Sequence, residues 1–162
     1  MNQPHHSEHD LLVILGPTAT GKTQLAIHLA AKLEGEIISA DSRQVYRGMD
    51  IGTGKDLNEY ELSGKKIPYH LIDIASPKEE YNVFQFQQDF QKTCSDIQER
   101  QKLPILCGGT GFYIKAVLMD FHLPAVAPDK KLRQELENWE LEDLILKLES
   151  ISPGTSKNNP LE

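Results

Sequence analysis

Apolar residues along this chain follow two different spacings. Leu11–Leu15 is a short unbroken apolar run stopped by Gly16-Pro17, as in a strand buried on both faces. From Lys22 the spacing becomes helical, with Leu25, Leu29 and Leu33 on one face, Ala26 and Ala30 beside it, and Gly35 as the expected terminator. Glu36–Ser39 predicts a second strand with Asp41 just past its C-terminal end, and Tyr69–Ile74 predicts a third, closed by Ser76-Pro77. Asn82 with Gln85 three residues later has the form of a capping box, and Phe86, Phe90, Cys94 and Ile97 mark the stripe of the helix behind it. Pro104–Cys107 predicts a fourth strand running into Gly108-Gly109-Thr110-Gly111, and a helix should follow from Phe112 to Met119. Strands alternating with helices imply βαβ crossovers. The expected class is therefore α/β, a parallel sheet with flanking helices.

The pattern changes after Leu123. Pro124 and Pro128 break the chain, and Asp129 is placed to cap a charged amphipathic stretch carrying Leu132, Leu136, Leu141, Leu144, Ile145 and Leu148. Residues 152–162 are rich in Pro, Gly, Asn and Ser without periodicity. The expected organisation is a disordered tail over 1–10, an α/β core over 11–122, a helical piece over 123–151 and a flexible tail over 152–162.

Composition narrows the class without naming the chemistry. With 162 residues and 39% hydrophobic content the chain suits one compact domain. Its apolar runs are too short to span a bilayer, and residues 1–10 lack a signal-peptide core, so no membrane partner and a cytoplasmic setting are expected. Cys94 and Cys107 fit reduced thiols, because two isolated cysteines make neither a disulfide framework nor a metal site. A net charge of −7 argues against gripping nucleic acid by general basicity, but leaves room for a local basic patch.

The chemistry begins at Gly16-Pro17-Thr18-Ala19-Thr20-Gly21-Lys22-Thr23, which satisfies the P-loop pattern G-x-x-x-x-G-K-[ST] in full. The glycines let successive N–H groups face one anion at the positive end of the following helix. Lys22 supplies a point charge to the outer phosphates, and the Thr23 hydroxyl is placed for Mg²⁺. Most such sites are nucleotide- and ATP-binding, which makes a small-molecule kinase the default class. Ser39-Ala40-Asp41-Ser42-Arg43-Gln44 lies at the strand edge where open α/β sheets place ligands. Asp41 could be a general base, a Mg²⁺ partner or the cap of the next turn. Arg43 and Arg47 either add positive charge to this rim or lie on a solvated face. Asp50-Ile51-Gly52-Thr53-Gly54-Lys55 is not a second P-loop, because Met49 stands where the first glycine is required. It reads as a Gly-rich loop, with Lys55 as a weaker candidate for a phosphate contact. The Gly108–Gly111 glycines bring backbone close to a ligand or simply make a tight turn. His70 reads as a structural histidine, and His5 and His6 carry no assigned role.

Taken together, GPTATGKT, SADSRQVYRG, DIGTGK, the YHLID strand and LPILCGGTGFYIKAV resemble the tRNA dimethylallyltransferase (isopentenyltransferase) family, in order and at family spacing from Leu12 to Leu118. The resemblance implies a P-loop NTPase-like sheet and transfer of a dimethylallyl group from dimethylallyl diphosphate to N6 of an adenosine beside the anticodon of tRNA. It implies that Asp41 is the base, that Lys22 and Thr18 serve catalysis, and that Thr18 and Thr23 belong to the diphosphate and Mg²⁺ site. Ser42, Arg43 and Gln44 would meet substrate RNA, and Thr110 would line the channel for the adenine. The stretch from Pro128 to Gly154 resembles the start of the family's inserted helical region, and the resemblance implies a C-terminal half that is absent from these 162 residues. Rival expectations are the same transfer to free AMP, ADP or ATP, a P-loop small-molecule kinase, and a non-catalytic diphosphate-binding fragment.

Overall fold

A computed structural model describes residues 11–119, 121 and 128–155. The predicted tail at 1–10, residues 156–162 of the predicted tail at 152–162, and the breaks at Leu123 and Pro124 lie outside the described residues. In chain order the elements are β1 (Leu12–Leu15), α1 (Lys22–Leu33), β2 (Gly35–Ser39), a 3₁₀ turn (Leu57–Tyr60), β3 (Glu61–Leu62), β4 (Lys65–Lys66), β5 (Tyr69–His70), α2 (Val83–Glu99), β6 (Leu103–Gly108), α3 (Gly111–Leu118), α4 (Lys130–Leu136) and α5 (Leu141–Ile151). The chain separates into two compact units, Met1–Leu123 and Pro124–Glu162.

The first unit is built on a four-stranded sheet of order β1-β6-β2-β5, with every pairing parallel. This is the α/β arrangement expected from the alternation of strands and helices. The central strands β2 and β6 are buried along their whole length, and the pleat sends successive side chains to opposite faces. Ile37 and Ile105 join Ala26, Ile27 and Ala30 of α1 in one core cluster. Ile38 and Leu106 join Phe86, Phe90 and Ile97 of α2 and Ile114 of α3 in the other. Phe86 stacks on Tyr113 with centroids 4.2 Å apart, fixing α2 against α3. A sheet covered on both faces accounts for the continuous apolar runs in its strands.

Four details differ from the sequence reading. Gly35 does not end α1; Glu34 does so in the left-handed region (φ 53°), and Gly35 opens β2. Leu25 is exposed and Ile27 is buried, so the core face of α1 is rotated from the predicted leucine stripe. The third strand stops at His70, because Leu71 (φ 62°) and Asp73 (φ 56°) turn left-handed and break the extended backbone. The segment behind them pairs instead with residues 44–47, through Asp73 N–H to Gln44 O (3.0 Å), Ile74 N–H to Val45 O (2.8 Å) and Arg47 N–H to Ala75 O (3.0 Å). Finally, a short antiparallel hairpin, β3–β4, turns through left-handed Ser63 and Gly64, which its sequence did not announce.

Two expectations hold at atomic detail. Asn82 accepts from the N–H groups of Phe84 and Gln85 while Gln85 Oε1 accepts from Asn82 N–H, completing the capping box of α2. His70 is structural: its Nε2 lies 2.7 Å from Glu36 Oε2, and Arg100 grips the same carboxylate through Nε (3.2 Å) and an Nη (2.8 Å). Burial pushes the Glu36 carboxyl up, but the bonds and charges of Arg100 and His70 outweigh it and leave the pKa below the ordinary value. In the second unit the amphipathic stretch is two helices rather than one, with Asp129 accepting from Lys131 and Leu132 N–H at the start of α4.

Candidate active site

Parallel strands put all their C-terminal ends on one edge. Leu15 of β1 is level with Gly108 of β6, and Ser39 of β2 is level with Cys107. The P-loop, the Asp41 segment and the Gly108–Gly111 turn therefore meet there, which is where open α/β sheets leave a crevice. They enclose a cavity of about 300 Å³.

The P-loop forms one wall. Gly21 takes φ 80°, a conformation available to glycine at little cost, and starts α1 with no side chain capping it. Lys22, Thr23 and Gln24, whose N–H groups form the uncapped first turn, line the cavity, and Thr18 and Ala19 line it from the preceding loop. Lys22 Nζ and Thr20 Oγ1 both donate to Pro17 O, the latter at 2.8 Å. Gly16 and Pro17 support this wall from behind without lining the cavity.

The facing wall is the Ser39–Gln44 segment. Asp41 Oδ1 accepts from Arg43 N–H (2.9 Å), with Arg43 Nε 3.5 Å away, so the carboxylate caps its own turn and also faces the cavity. The cap and site readings of Asp41 are thus compatible. Gln44 is held on both ends of its amide: Ser39 Oγ donates to Oε1 (3.1 Å), and Nε2 donates to Thr53 O (3.4 Å) and Gly54 O (3.2 Å). Ser42 and Thr110 do not line the cavity. Ser42 N–H donates to Thr110 Oγ1 (3.0 Å) and the two hydroxyls lie 3.4 Å apart, tying the Asp41 segment to the start of α3.

Two basic candidates are occupied elsewhere. Arg47 donates to Asp73 O and Ile74 O, both at 2.8 Å, and so binds backbone rather than adding charge to the rim. The Lys55 side chain is only 1% exposed; its Nζ bonds Tyr46 O (2.8 Å), Asp50 Oδ1 (3.1 Å) and Asp73 Oδ1 (2.5 Å). Burial disfavours that ammonium, but Asp73 and Asp50 hold its pKa above the ordinary value. Lys55 is a structural cation whose three oxygen partners leave it no donor for a phosphate.

Sequence reasoning missed Glu59, Tyr60 and Cys107, which also line the cavity. Tyr60 reaches it from the 3₁₀ turn through tertiary packing, for which no local signal exists. Cys107 is the penultimate residue of β6, and burial pushes its thiol up to about 11 despite the opposing pull of Lys22. Among the described residues no three His, Cys, Asp or Glu side chains cluster as a metal cage. The hard oxygen donor on the cavity beside the phosphate bed, Thr23 Oγ1, fits Mg²⁺, which is commonly held by one or two protein oxygens together with substrate phosphates and water. Among the described residues no helix is long and apolar enough to cross a membrane.

Residues 44–160 match the IPP transferase family model. The chain is 59% identical over 136 residues to tRNA dimethylallyltransferase 1 of Parabacteroides distasonis, covering 84% of this chain and 44% of that protein. It is 54% identical over 149 residues to tRNA dimethylallyltransferase 2 of Porphyromonas gingivalis, covering 92% of this chain and 49% of that one. The crystal structure of the tRNA isopentenylpyrophosphate transferase of Bacillus halodurans superposes with a TM-score of 0.67 at 41% identity, covering 93% of this chain and 50% of that one. A eukaryotic dimethylallyltransferase acting on tRNA gives a TM-score of 0.77 at 30% identity, covering 93% and 38%. The chain spans about half the length of the curated relatives it matches. With a family model matched over most of its length and the P-loop, Asp41 and Gly108–Gly111 segments gathered on one cavity, the chain belongs to the IPP transferase family.

Proposed function

We propose that this chain carries the catalytic portion of an enzyme that moves a dimethylallyl group from dimethylallyl diphosphate to N6 of an adenosine adjacent to the anticodon in tRNA. The observation that carries the reading is a single cavity with a phosphate bed on one wall and a carboxylate on the other. Both curated relatives described above bear the name tRNA dimethylallyltransferase, and one solved neighbour acts on tRNA. This favours tRNA as acceptor over a free adenine nucleotide.

The diphosphate enters against the first turn of α1, and its oxygens replace the Pro17 carbonyl as partner of Lys22. Buried Tyr60 and Cys107 offer the five-carbon chain a wall of low polarity. As the allylic C–O bond breaks, its electron pair leaves with pyrophosphate, and Lys22 with the α1 N–H groups stabilises the growing charge. The adenine N6 lone pair forms the new C–N bond, and Asp41 accepts the N6 proton. Thr23 would hold Mg²⁺, whose contribution when bound is to neutralise the diphosphate. The target base leaves its stack to reach this depth. The enzyme is proposed to work in the cytoplasm, where unmodified tRNA is available.

Incubation of the chain with Mg²⁺, dimethylallyl diphosphate and unmodified tRNA, read by mass spectrometry, tests the proposal. Prenylated adenosine in tRNA is expected, and prenylated AMP or ATP with unreacted tRNA would refute the acceptor. Asp41→Asn should slow the transfer by about 10²–10⁴-fold, the usual worth of a positioned base. An unchanged rate would remove Asp41 from that role. Lys22→Ala should weaken pyrophosphate binding by roughly 10–100-fold, as for one lost charge-assisted bond, and unchanged affinity in calorimetry would contradict the phosphate bed.

A further inference from the structure

The Lys55 cluster lies outside the reacting groups, yet it is linked to the cavity wall by an unbroken series of contacts. Lys55 Nζ joins the Asp73 carboxylate to the Asp50 carboxylate and the Tyr46 carbonyl, tying two separate stretches of chain together. The residues just before it, Thr53 and Gly54, turn their carbonyls onto Gln44 Nε2. The Thr53 hydroxyl ties the same loop to Met49 O at 2.7 Å. Two carbonyl acceptors on one end of the Gln44 amide dictate its orientation, because only the NH₂ end can donate to them. The carbonyl end then faces Ser39, whose hydroxyl spends its proton on Oε1.

That orientation gives the wall a chemical sign. Gln44 Oε1 and Ser39 Oγ keep acceptor lone pairs, and Asp41 Oδ2 takes part in none of the bonds that hold Oδ1. Ser39, Asp41 and Gln44 all line the cavity, as does Arg43, whose guanidinium lies against Asp41 Oδ1. Such a wall is satisfied by an N–H₂ group and is opposed by a carbonyl, which would set lone pair against lone pair.

We propose that Lys55 is a positioning residue for acceptor choice: by pinning the 50–55 loop it orients Gln44, so that Ser39, Asp41 and Gln44 present a run of acceptors that favours a base with an exocyclic amine over one with an oxo group. The inference rests on the transfer reading above and deepens it. Lys55 touches neither substrate; it acts through Thr53, Gly54 and Gln44.

The test compares the full chain with Lys55→Met and with Lys55→Met/Asp73→Asn. The double variant leaves no charge buried without its partner, and asparagine tolerates the left-handed backbone at position 73. Three quantities are read: magnesium pyrophosphate affinity, thermal melting, and discrimination. The last is the inhibition constant of an anticodon stem–loop bearing hypoxanthine at the acceptor position, divided by KM for the same RNA bearing adenine. The expected result is unchanged pyrophosphate affinity in both variants, melting largely recovered in the double variant, and discrimination reduced about tenfold in both. A double variant that melts as the parent and discriminates as the parent would overturn the proposal. A parent chain that binds pyrophosphate but prenylates no RNA would instead defeat the transfer reading, and this inference with it.

Discussion

Gly108 is the position where the site depends most directly on the absence of a side chain. A Cβ built there would sit 2.3 Å from Ala40 O, 2.5 Å from Ala40 C and 2.8 Å from Ala40 Cα. Ala40 cannot withdraw freely, because its N–H donates to Cys107 O (2.8 Å) and its carbonyl accepts from Thr110 N–H (3.1 Å). Opening the contact from 2.3 Å to an ordinary 3.4 Å means moving backbone by about 1 Å and stretching both bonds. Overpacking of this kind costs about 1–3 kcal/mol, and weakening two buried backbone bonds adds about 1–2 kcal/mol. Alanine's smaller entropy in the unfolded chain returns about 0.4–1 kcal/mol. The net expectation for Gly108→Ala is a loss of about 3 kcal/mol, or a melting temperature lower by roughly 6–12 °C for a chain of 162 residues. The same shift displaces Asp41, the residue after Ala40, so transfer should fall further than stability alone requires. Gly109→Ala is the control: its Cβ would meet only Gly16 O, at 3.4 Å. Thermal unfolding followed by circular dichroism, with transfer assayed well below the melting range, separates the two effects. Equal melting of both variants, or a Gly108→Ala variant that melts with the parent, would refute the close-approach reasoning.

Two further outcomes follow from the titrating groups. Glu36, with its pKa held below 4.5 in the folded state, contributes stability that is fully present above 4.5 and lost as pH falls through the lower folded value. Glu36→Gln should therefore cost about 1–3 kcal/mol near neutrality, with the gap to the parent narrowing in urea titrations below pH 4.5. Cys107, pushed up to about 11 by burial, should resist iodoacetamide at pH 8 while the chain is folded, and rapid alkylation seen by mass spectrometry would contradict its burial.

Local signals made the frame of the first unit readable from sequence. A turn of glycine and lysine between an apolar run and a helical stripe has P-loop composition, and the parallel strand order then brings Asp41 and Gly108 to it without further information. The errors lie where local preference is overridden. Tyr69–Ile74 has strand composition, yet Leu71 and Asp73 take positive φ because pairing with residues 44–47 satisfies more backbone than extending β5 would. Pairs distant in sequence were equally invisible: Glu36 with Arg100 is 64 residues apart, and Lys55 with Asp73 is 18.

The same contrast explains why the notable lysine of the DIGTGK stretch reads so differently once folded. Residue type near a glycine-rich loop suggests a phosphate contact, and burial decides against it. An ammonium with three oxygen partners and almost no exposure has no donor left for a ligand, and removing any one partner would leave charge in a poorly solvated place. Among the described residues Lys22 differs in having only the Pro17 carbonyl as its hydrogen-bond partner, at the mouth of an uncapped helix. A single neutral acceptor is readily exchanged for a phosphate oxygen, which gains a full charge interaction. Two lysines in similar sequence surroundings thus end in opposite states, one held by a single exchangeable carbonyl and the other buried among three oxygens.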